Sequence, residues 1–390
     1  MRVGGAVQTL KWAAVLGTAA CSPATTPGDE EKTGPGAPPG TEWRVAGQGW
    51  GTPSVDPATV FFTGRAHEVV AVDRARGTVR WRASTGQATA STAGFNTVVA
   101  GDVVVVPDIA LYGFDRQTGA LRWRFAPEGG SPGAANLASD GETVYAGSLE
   151  GRVYAVDART GAARWTVELG RGEGVAAFDP TIADGTVYVG IKRLTIPNTG
   201  ALVALDAATG AVRWSREFTS DDPRLGTGCF GGAVVYGGLV IVSIQDGTVA
   251  ALDRGTGAVR WRASRLSNLP LGAGGSPDSD MRPLVLAGEA VVAGSTTGVV
   301  TALDAATGAE RWRAFANRGS AVYPLAVDGE RVYVNHFAGQ LAAFSLHDGA
   351  LLWLAGDNRN GFGDFVNAPR VDGEHVYLSG HGGYHALRTE

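Results

Sequence analysis

The chain has 390 residues, 58 of them glycine, and a formal net charge of −5 at pH 7. This negative balance argues against a nucleic-acid-binding role, which needs a basic surface. The two cysteines are Cys21 and Cys229, so loss of an N-terminal segment would leave no pair for an intrachain disulfide. Beyond the N-terminus no apolar run reaches the ~18 residues that span a bilayer, so we expect no transmembrane helix.

Residues 1–21 have the composition of an export signal. Residues 1–11 carry two positive charges and no acid, residues 12–20 form a short apolar run, and Cys21 follows Thr-Ala-Ala. The segment resembles a bacterial lipoprotein signal peptide, which implies that Cys21 is the lipidated first residue of the mature chain. Thr18 stands where leucine is usual in such signals. The alternatives are ordinary secretion without lipidation and a buried or wrongly assigned N-terminus.

Residues 22–40 are rich in Pro, Gly and Thr and include a short acidic run, Asp29 to Glu31. Such a stretch has too little apolar surface to fold. We therefore predict a disordered tether over 22–40, followed by a single folded domain over 41–390.

Tryptophan marks a repeat throughout that domain. Eight of the ten tryptophans recur at spacings of 38, 42, 42, 49, 47, 51 and 41 residues: Trp43, Trp81, Trp123, Trp165, Trp214, Trp261, Trp312 and Trp353. All of these except Trp43 end a phrase similar to A-x-D-x-x-T-G-x-x-x-W. This is the period of a four-stranded propeller blade rather than of a helical repeat. We expect each tryptophan to be a large wedge packed between neighbouring blades.

The aspartate and glycine of the phrase are typical of a tight turn. The carboxylate can accept hydrogen bonds from backbone N–H groups two or three residues on, and the glycine supplies a positive φ. The aspartates are therefore predicted to be structural rather than catalytic: Asp73, Asp115, Asp157, Asp206, Asp253 and Asp304. The small residue two positions earlier, for example Ala155, is expected where neighbouring sheets approach.

The two ends of the domain complement each other. Trp43 belongs to the last strand of a blade with nothing before it, whereas residues 363–388 provide three strands without a fourth. Joining the two would close the ring and remove its free edges. The fold class predicted is all-β, an eight-bladed β-propeller closed by an N-terminal strand that joins the C-terminal blade.

The repeat phrase resembles the PQQ-like, or quinoprotein-type, β-propeller repeat family over residues 41–388. This family includes pyrroloquinoline-quinone dehydrogenases and the BamB-type lipoproteins of outer-membrane assembly. If this chain were an enzyme of the dehydrogenase type, the resemblance would imply a quinone beneath a disulfide between adjacent cysteines, with a calcium ion beside the quinone. The present chain has no adjacent cysteines, so we expect no cofactor, no bound metal and no catalytic residue.

The resemblance therefore implies a non-catalytic interaction scaffold of the cell envelope, with a BamB-like role in assembling outer-membrane β-barrels. The implied partner is an envelope protein, such as a barrel-assembly complex, and the ring is expected to be monomeric. The expected location is the periplasmic or cell-surface face of a membrane, through the lipid anchor. The alternatives are a PQQ-dependent dehydrogenase and a ligand-binding propeller.

The candidate binding surface is the mouth of the central channel. It would be formed by residues just before each innermost strand, which vary where the blade core repeats: Asn96, Asn136, Asp179, Phe230, Arg282, Tyr323 and Asn367. Variation is typical of a recognition surface and equally of an unconstrained loop.

Arginines flank most repeat tryptophans and are expected to form a charged rim that blocks stray strand pairing, with polyanion binding as the alternative.

Overall fold

The structure is a computed structural model in which 40–49, 51–86, 96–132, 136–170, 175–193, 199–220, 226–229, 231–263, 284–295, 298–315, 322–336, 340–355, 368–380 and 382–389 are described. These residues form eight four-stranded antiparallel sheets. A single 3-10 turn, Arg65–His67, is the helical element among them. In the described part of the chain, no helix has the length and apolar character needed to cross a bilayer.

Blades 1 to 4 follow one another along the chain, each with its strands ordered from the centre outwards. Blade 1 contains β2 (Ser54–Val55), β3 (Thr59–Gly64), β4 (Glu68–Asp73) and β5 (Val79–Ser84). Blade 2 contains β6 (Val98–Ala100), β7 (Val103–Pro107), β8 (Leu111–Asp115) and β9 (Leu121–Phe125). Blade 3 contains β10 (Leu137–Ser139), β11 (Thr143–Gly147), β12 (Arg152–Asp157) and β13 (Ala163–Glu168). Blade 4 contains β14 (Val175–Ala183), β15 (Thr186–Arg193), β16 (Thr199–Asp206) and β17 (Val212–Glu217).

Blades 5 to 7 repeat this order. Blade 5 contains β18 (Val234–Tyr236), β19 (Leu239–Ser243), β20 (Val249–Asp253) and β21 (Val259–Arg262). Blade 6 contains β22 (Val285–Ala287), β23 (Ala290–Gly294), β24 (Val299–Asp304) and β25 (Glu310–Phe315). Blade 7 contains β26 (Val322–Val327), β27 (Arg331–His336), β28 (Gln340–Ser345) and β29 (Leu351–Ala355).

Blade 8 is the composite blade. Its inner strands are β30 (Arg370–Asp372), β31 (His375–Gly380) and β32 (Gly383–Arg388), and its outer strand is β1 (Thr41–Val45). β1 pairs antiparallel with β32 and places Trp43 opposite Ala386. The prediction of an eight-bladed all-β propeller closed by the N-terminal strand is therefore confirmed.

A bulge precedes the tryptophan in the outer strands. In blade 1, Ala71 faces Trp81 while the next residue, Val72, faces Val79, so Arg80 is the extra residue. The same register shift recurs in blades 2 to 7. A bulge increases the local twist and re-aims a side chain, and here it directs the arginine towards the preceding turn.

The hydrophobic core lies between blades rather than at one centre. The cluster between blades 8 and 1, for example, joins Trp43 and Tyr384 of the composite blade to Val60 and Phe62 of blade 1. Because each sheet buries both faces against its neighbours, a missing blade or open ring would expose two apolar sheet faces.

Candidate functional site

The repeat aspartate is held at both carboxylate oxygens. In blade 3, Oδ1 of Asp157 accepts hydrogen bonds from the backbone N–H and the hydroxyl of Thr160 at 2.9 and 2.8 Å, and Oδ2 lies 2.9 Å from Arg164. Arg164 first, and then Thr160, lowers the pKa of Asp157 to about 2. Equivalent pairs at 2.5–2.9 Å occur in six blades: Asp73–Arg80, Asp115–Arg122, Asp157–Arg164, Asp206–Arg213, Asp253–Arg260 and Asp304–Arg311. The carboxylates are thus engaged within the turns.

The repeat tryptophans link consecutive blades. The indole Nε1 of Trp123 donates a 2.9 Å hydrogen bond to the carbonyl of Ala158, the residue after the repeat aspartate of the next blade. Equivalent bonds of 2.7–3.2 Å are donated by seven tryptophans: Trp43, Trp81, Trp123, Trp165, Trp214, Trp261 and Trp312. A buried indole N–H needs such a partner, so each bond fixes the position of one blade against the next.

The small residue two positions before the aspartate lies where neighbouring sheets approach, as expected: Ala155 is buried in a cluster with Val175 and Val187 of blade 4. Ala155 lies opposite Trp165 of its own blade, and a Cβ on Gly113 would lie 2.1 Å from the indole of Trp123 in its own blade. The small side chain therefore makes room for the tryptophan of the same sheet. The turn glycine of the next blade lies against the same tryptophan.

Three of the candidate channel-mouth residues form a ladder between inner strands. Oδ1 of Asn136 accepts the backbone N–H of Asn96 at 3.0 Å, and Oδ1 of Asp179 accepts the backbone N–H of Asn136 at 2.9 Å. Asn96 also accepts from the N–H of Leu137 at 2.6 Å and donates to its carbonyl at 3.0 Å. These side chains thus connect blades 2, 3 and 4, and a ligand would have to compete with these bonds. Their role in binding stays a prediction.

Strand register shows which other positions are equivalent to Asn96. Thr52 and Ala368 occupy this position in blades 1 and 8, and Oγ1 of Thr52 accepts the N–H of Ala368 at 3.1 Å. Sequence reasoning missed Thr52 because β2 is two residues long. The remaining candidates cannot be placed in full: Tyr323 lies in β26, where only its backbone is described, and Phe230, Arg282 and Asn367, like the lipidation candidate Cys21, lie outside the described residues.

A second polar cluster, which sequence analysis did not identify, joins blades 1 and 2. Nδ1 of His67 and the hydroxyl of Thr85 each lie 2.6 Å from Oδ2 of Asp108, and all three side chains are buried or nearly so. His67 has φ = 61°, a conformation that is uncommon for a residue other than glycine. An open depression of about 570 Å³ lies beside the cluster and is bordered by Arg65, Glu68 and Arg82.

The cluster connects blades 1 and 2, because His67 and Thr85 of blade 1 both contact the carboxylate of Asp108 in blade 2. An aspartate can hold a histidine as the general base of nucleophilic catalysis, in which the nucleophile lies within hydrogen-bond reach of the histidine. Here the hydroxyl of Thr85 donates to the carboxylate itself. No sequence motif could have revealed the cluster, since His67 and Asp108 are 41 residues apart in unrelated loops.

Two further reactive residue types are buried. Cys229 is fully buried, and burial raises the pKa of its thiol, so it has little thiolate character. His385 is 2% exposed, and burial, followed by the charge of Arg44, lowers its pKa to about 4. Among the described residues, no group of three or more His, Cys, Asp or Glu side chains has the spacing of a metal site.

Comparison with known families identifies the repeat. A family model described as "Outer membrane protein assembly factor BamB" matches residues 36–148, 108–269 and 246–388. Together these segments include every blade. A search of curated protein sequences gives no significant match.

Solved structures share the ring. BamB from Moraxella catarrhalis is 25% identical, with a TM-score of 0.54 over 73% of this chain and 82% of that one. The quinohemoprotein alcohol dehydrogenase of Comamonas testosteroni is 15% identical, with a TM-score of 0.67 over 89% of this chain and 76% of that one. The computationally designed protein Ika8 is 17% identical, with a TM-score of 0.70 over 88% of this chain and 98% of that one. The likeness to the last two structures, at 15% and 17% identity, shows the fold alone.

Proposed function

Since the chain belongs to the family described as outer membrane protein assembly factor BamB, we propose that it is a non-catalytic, lipid-anchored scaffold of the cell envelope that takes part in assembling outer-membrane β-barrel proteins. The observation that carries this proposal is the family match over all eight blades. The same ring also occurs in dehydrogenases, so fold alone does not decide between scaffold and enzyme.

The side chains of the repeat support a scaffold. The recurring carboxylates and indoles already have structural partners. The carboxylate of Asp157 is paired with Arg164 in its turn, and the indole N–H of Trp123 is hydrogen-bonded to the next blade. Within the described part of the chain, the thiol of Cys229 is fully buried and has a raised pKa, and the carboxylate of Asp108 is engaged by both His67 and Thr85. What varies between blades is the loops and the rim, and these are the surfaces on which a propeller presents recognition groups.

The partner of this scaffold would be the pore-forming component of a barrel-assembly complex. The direct test is to purify the tagged protein from crosslinked membranes of its own cells and to quantify that component by mass spectrometry. We expect enrichment over a tagged, unrelated lipoprotein of the same cells. Equal amounts in the two samples would contradict the proposal.

The quinone alternative does not fit the residues. The adjacent cysteine pair whose disulfide is expected to lie over a quinone is missing from the sequence, which has its two cysteines at positions 21 and 229. Titration with pyrroloquinoline quinone and calcium, followed by dye reduction with alcohols or sugars, should therefore give no turnover and no shift in the quinone absorbance. Saturable turnover would overturn the scaffold proposal.

A further inference from the structure

The outer strand of blade 7 departs from all the other blades. The residues on either side of its tryptophan are Leu352 and Leu354, whereas blades 1, 2, 5 and 6 have arginine at both positions and blades 3 and 4 have arginine followed by threonine or serine. In blade 8 the equivalents are Glu42 and Arg44. Blade 7 alone has no charged or hydroxyl side chain at these two positions.

The turn of blade 7 has changed together with the rim. Ser345 occupies the position of the repeat aspartate, and Leu352 occupies the position of the arginine that would pair with it. The turn itself is retained, since the N–H of Gly349 still donates to the carbonyl of Ser345 at 2.9 Å. Both partners of the ion pair have therefore been replaced in this blade, while the fold of the blade is unchanged.

The two replacements, Leu352 and Leu354, lie beside Leu351, whose position is also apolar and exposed in other blades, for example at Leu121, and together they form an exposed apolar edge. Leu351, Leu352 and Leu354 are 56%, 48% and 49% exposed. β29 is the outermost strand of its sheet, and no other described strand pairs with its outer side. Exposed edge strands are normally protected by charge because their free N–H and C=O groups can pair with another chain. In β29 the bulge at Leu352 remains, but the charge has been lost.

We propose that β29 is a docking edge that binds an extended apolar segment of another protein as a fifth antiparallel strand of blade 7. The free main-chain groups of the edge require a ligand that supplies main-chain groups in return, which a peptide in extended conformation does and a lipid surface does not. The uncharged leucines favour apolar side chains on that segment. Pairing would involve Trp353 to Ala355, beyond the bulge, with side-chain contacts to Leu351 and Leu352.

The size of the edge favours a short segment over a second copy of the ring. A stable interface between folded proteins uses about 20–30 residues on each side, and β29 has five. Strand addition needs only such a short edge, because main-chain hydrogen bonds supply the affinity. This surface involves neither the N-terminal anchor nor the channel mouth, so the peptide-binding test below can fail without contradicting the function proposed above.

The test uses a fluorescent ten-residue peptide of alternating leucine and threonine, with lysine pairs at its ends for solubility. We expect fluorescence polarisation to show saturable binding to the protein in the micromolar range. The triple variant Ser345→Asp/Leu352→Arg/Leu354→Arg, which restores the sequence found in blades 1, 2, 5 and 6, should weaken binding at least tenfold. Leu121→Arg, at an equally exposed apolar position in the outer strand of blade 2, is the matched control and should leave binding unchanged.

A second peptide separates strand pairing from hydrophobic adhesion. Methylation of alternate backbone nitrogens keeps the side chains but removes the N–H donors, so we expect at least a tenfold loss of affinity. Equal binding of the methylated peptide, or equal binding by the triple variant with an unchanged melting temperature, would overturn the proposal. A wild-type dimer in sedimentation that the triple variant dissociates would also overturn it, in favour of a second copy as the occupant.

Discussion

The indole of Trp123 lies directly against Gly161 of the next blade. A Cβ placed on Gly161 would lie 2.7 Å from both Cγ and Cδ2 of that indole, and the glycine has φ = 73°. The same residue thus satisfies two demands, the left-handed backbone of the turn and the close approach of the neighbouring tryptophan. This relationship recurs at seven turns: Gly77, Gly119, Gly161, Gly210, Gly257, Gly308 and Gly349.

Gly161→Ala should destabilise the protein by about 2–4 kcal/mol, because the left-handed backbone and the crowding against Trp123 both act against a methyl group. The matched control is Gly185→Ala, at φ = 69° with no heavy atom within 4 Å of the added Cβ. It should cost only the backbone part, about 1–2 kcal/mol. Urea denaturation of the two variants measures the difference, and equal losses would show that packing against the indole contributes nothing.

Asp157→Ala should cost about 1 kcal/mol of folding free energy, as loss of a turn-capping hydrogen bond usually does. Asp157→Asn keeps an oxygen for the N–H of Thr160 but loses the charge facing Arg164, so it should cost less. The comparison is made by urea denaturation, with binding to the partner protein measured in parallel. Lost binding at unchanged stability would mean that this carboxylate is functional rather than structural.

The sequence was sufficient to predict the fold because one phrase repeats, and the aspartate and tryptophan positions in it are chemically distinctive. The sequence did not, however, predict which residues of neighbouring blades contact each other. Nothing in a glycine indicates that the indole of the preceding blade, 38 residues earlier for Gly161 and Trp123, will lie against it. The pair of His67 and Asp108 was missed for the same reason, since ring closure and blade packing bring together residues from separate loops.

His385 should make stability depend on pH in mildly acidic solution. Its pKa in the folded protein is about 4, below the ordinary value of 6.5, so the unfolded chain binds the proton first. The folded state is therefore weakened progressively as the pH falls from 6.5 to 4, by about 3 kcal/mol in total at roughly 1.4 kcal/mol per pKa unit. In five turn aspartates the pKa is lowered to about 2, so they lose their contribution only below about pH 4: Asp115, Asp157, Asp206, Asp253 and Asp304.

Denaturation curves at several pH values between 7 and 4 test this assignment. In His385→Phe the loss of stability over this window should largely disappear. His347→Gln, which removes an exposed histidine, is the control and should retain the wild-type slope. Identical slopes for all three proteins would show that His385 titrates in the folded state as it does in the unfolded chain.

Closure of the ring should depend on β1. Trp43 is 8% exposed, donates a 3.0 Å hydrogen bond to the carbonyl of Arg74, and lies 5.9 Å from the ring of Tyr377. Deletion of residues 22–40 should leave the melting temperature nearly unchanged, whereas deletion through Ala46 should cost at least about 3 kcal/mol by removing the indole and exposing the outer edge of β32. The same melting temperature for both truncations would show that β1 does not hold the ring closed.

The most direct measurement of the central claim is the amount of β-barrel protein in the outer membrane of the cells that encode this chain. Deletion of the gene should lower that amount, and the wild-type gene should restore it. Cys21→Ser, produced at a matched level, should restore much less, because an unanchored scaffold is diluted away from the membrane. An unchanged barrel content in the deletion strain would contradict the account.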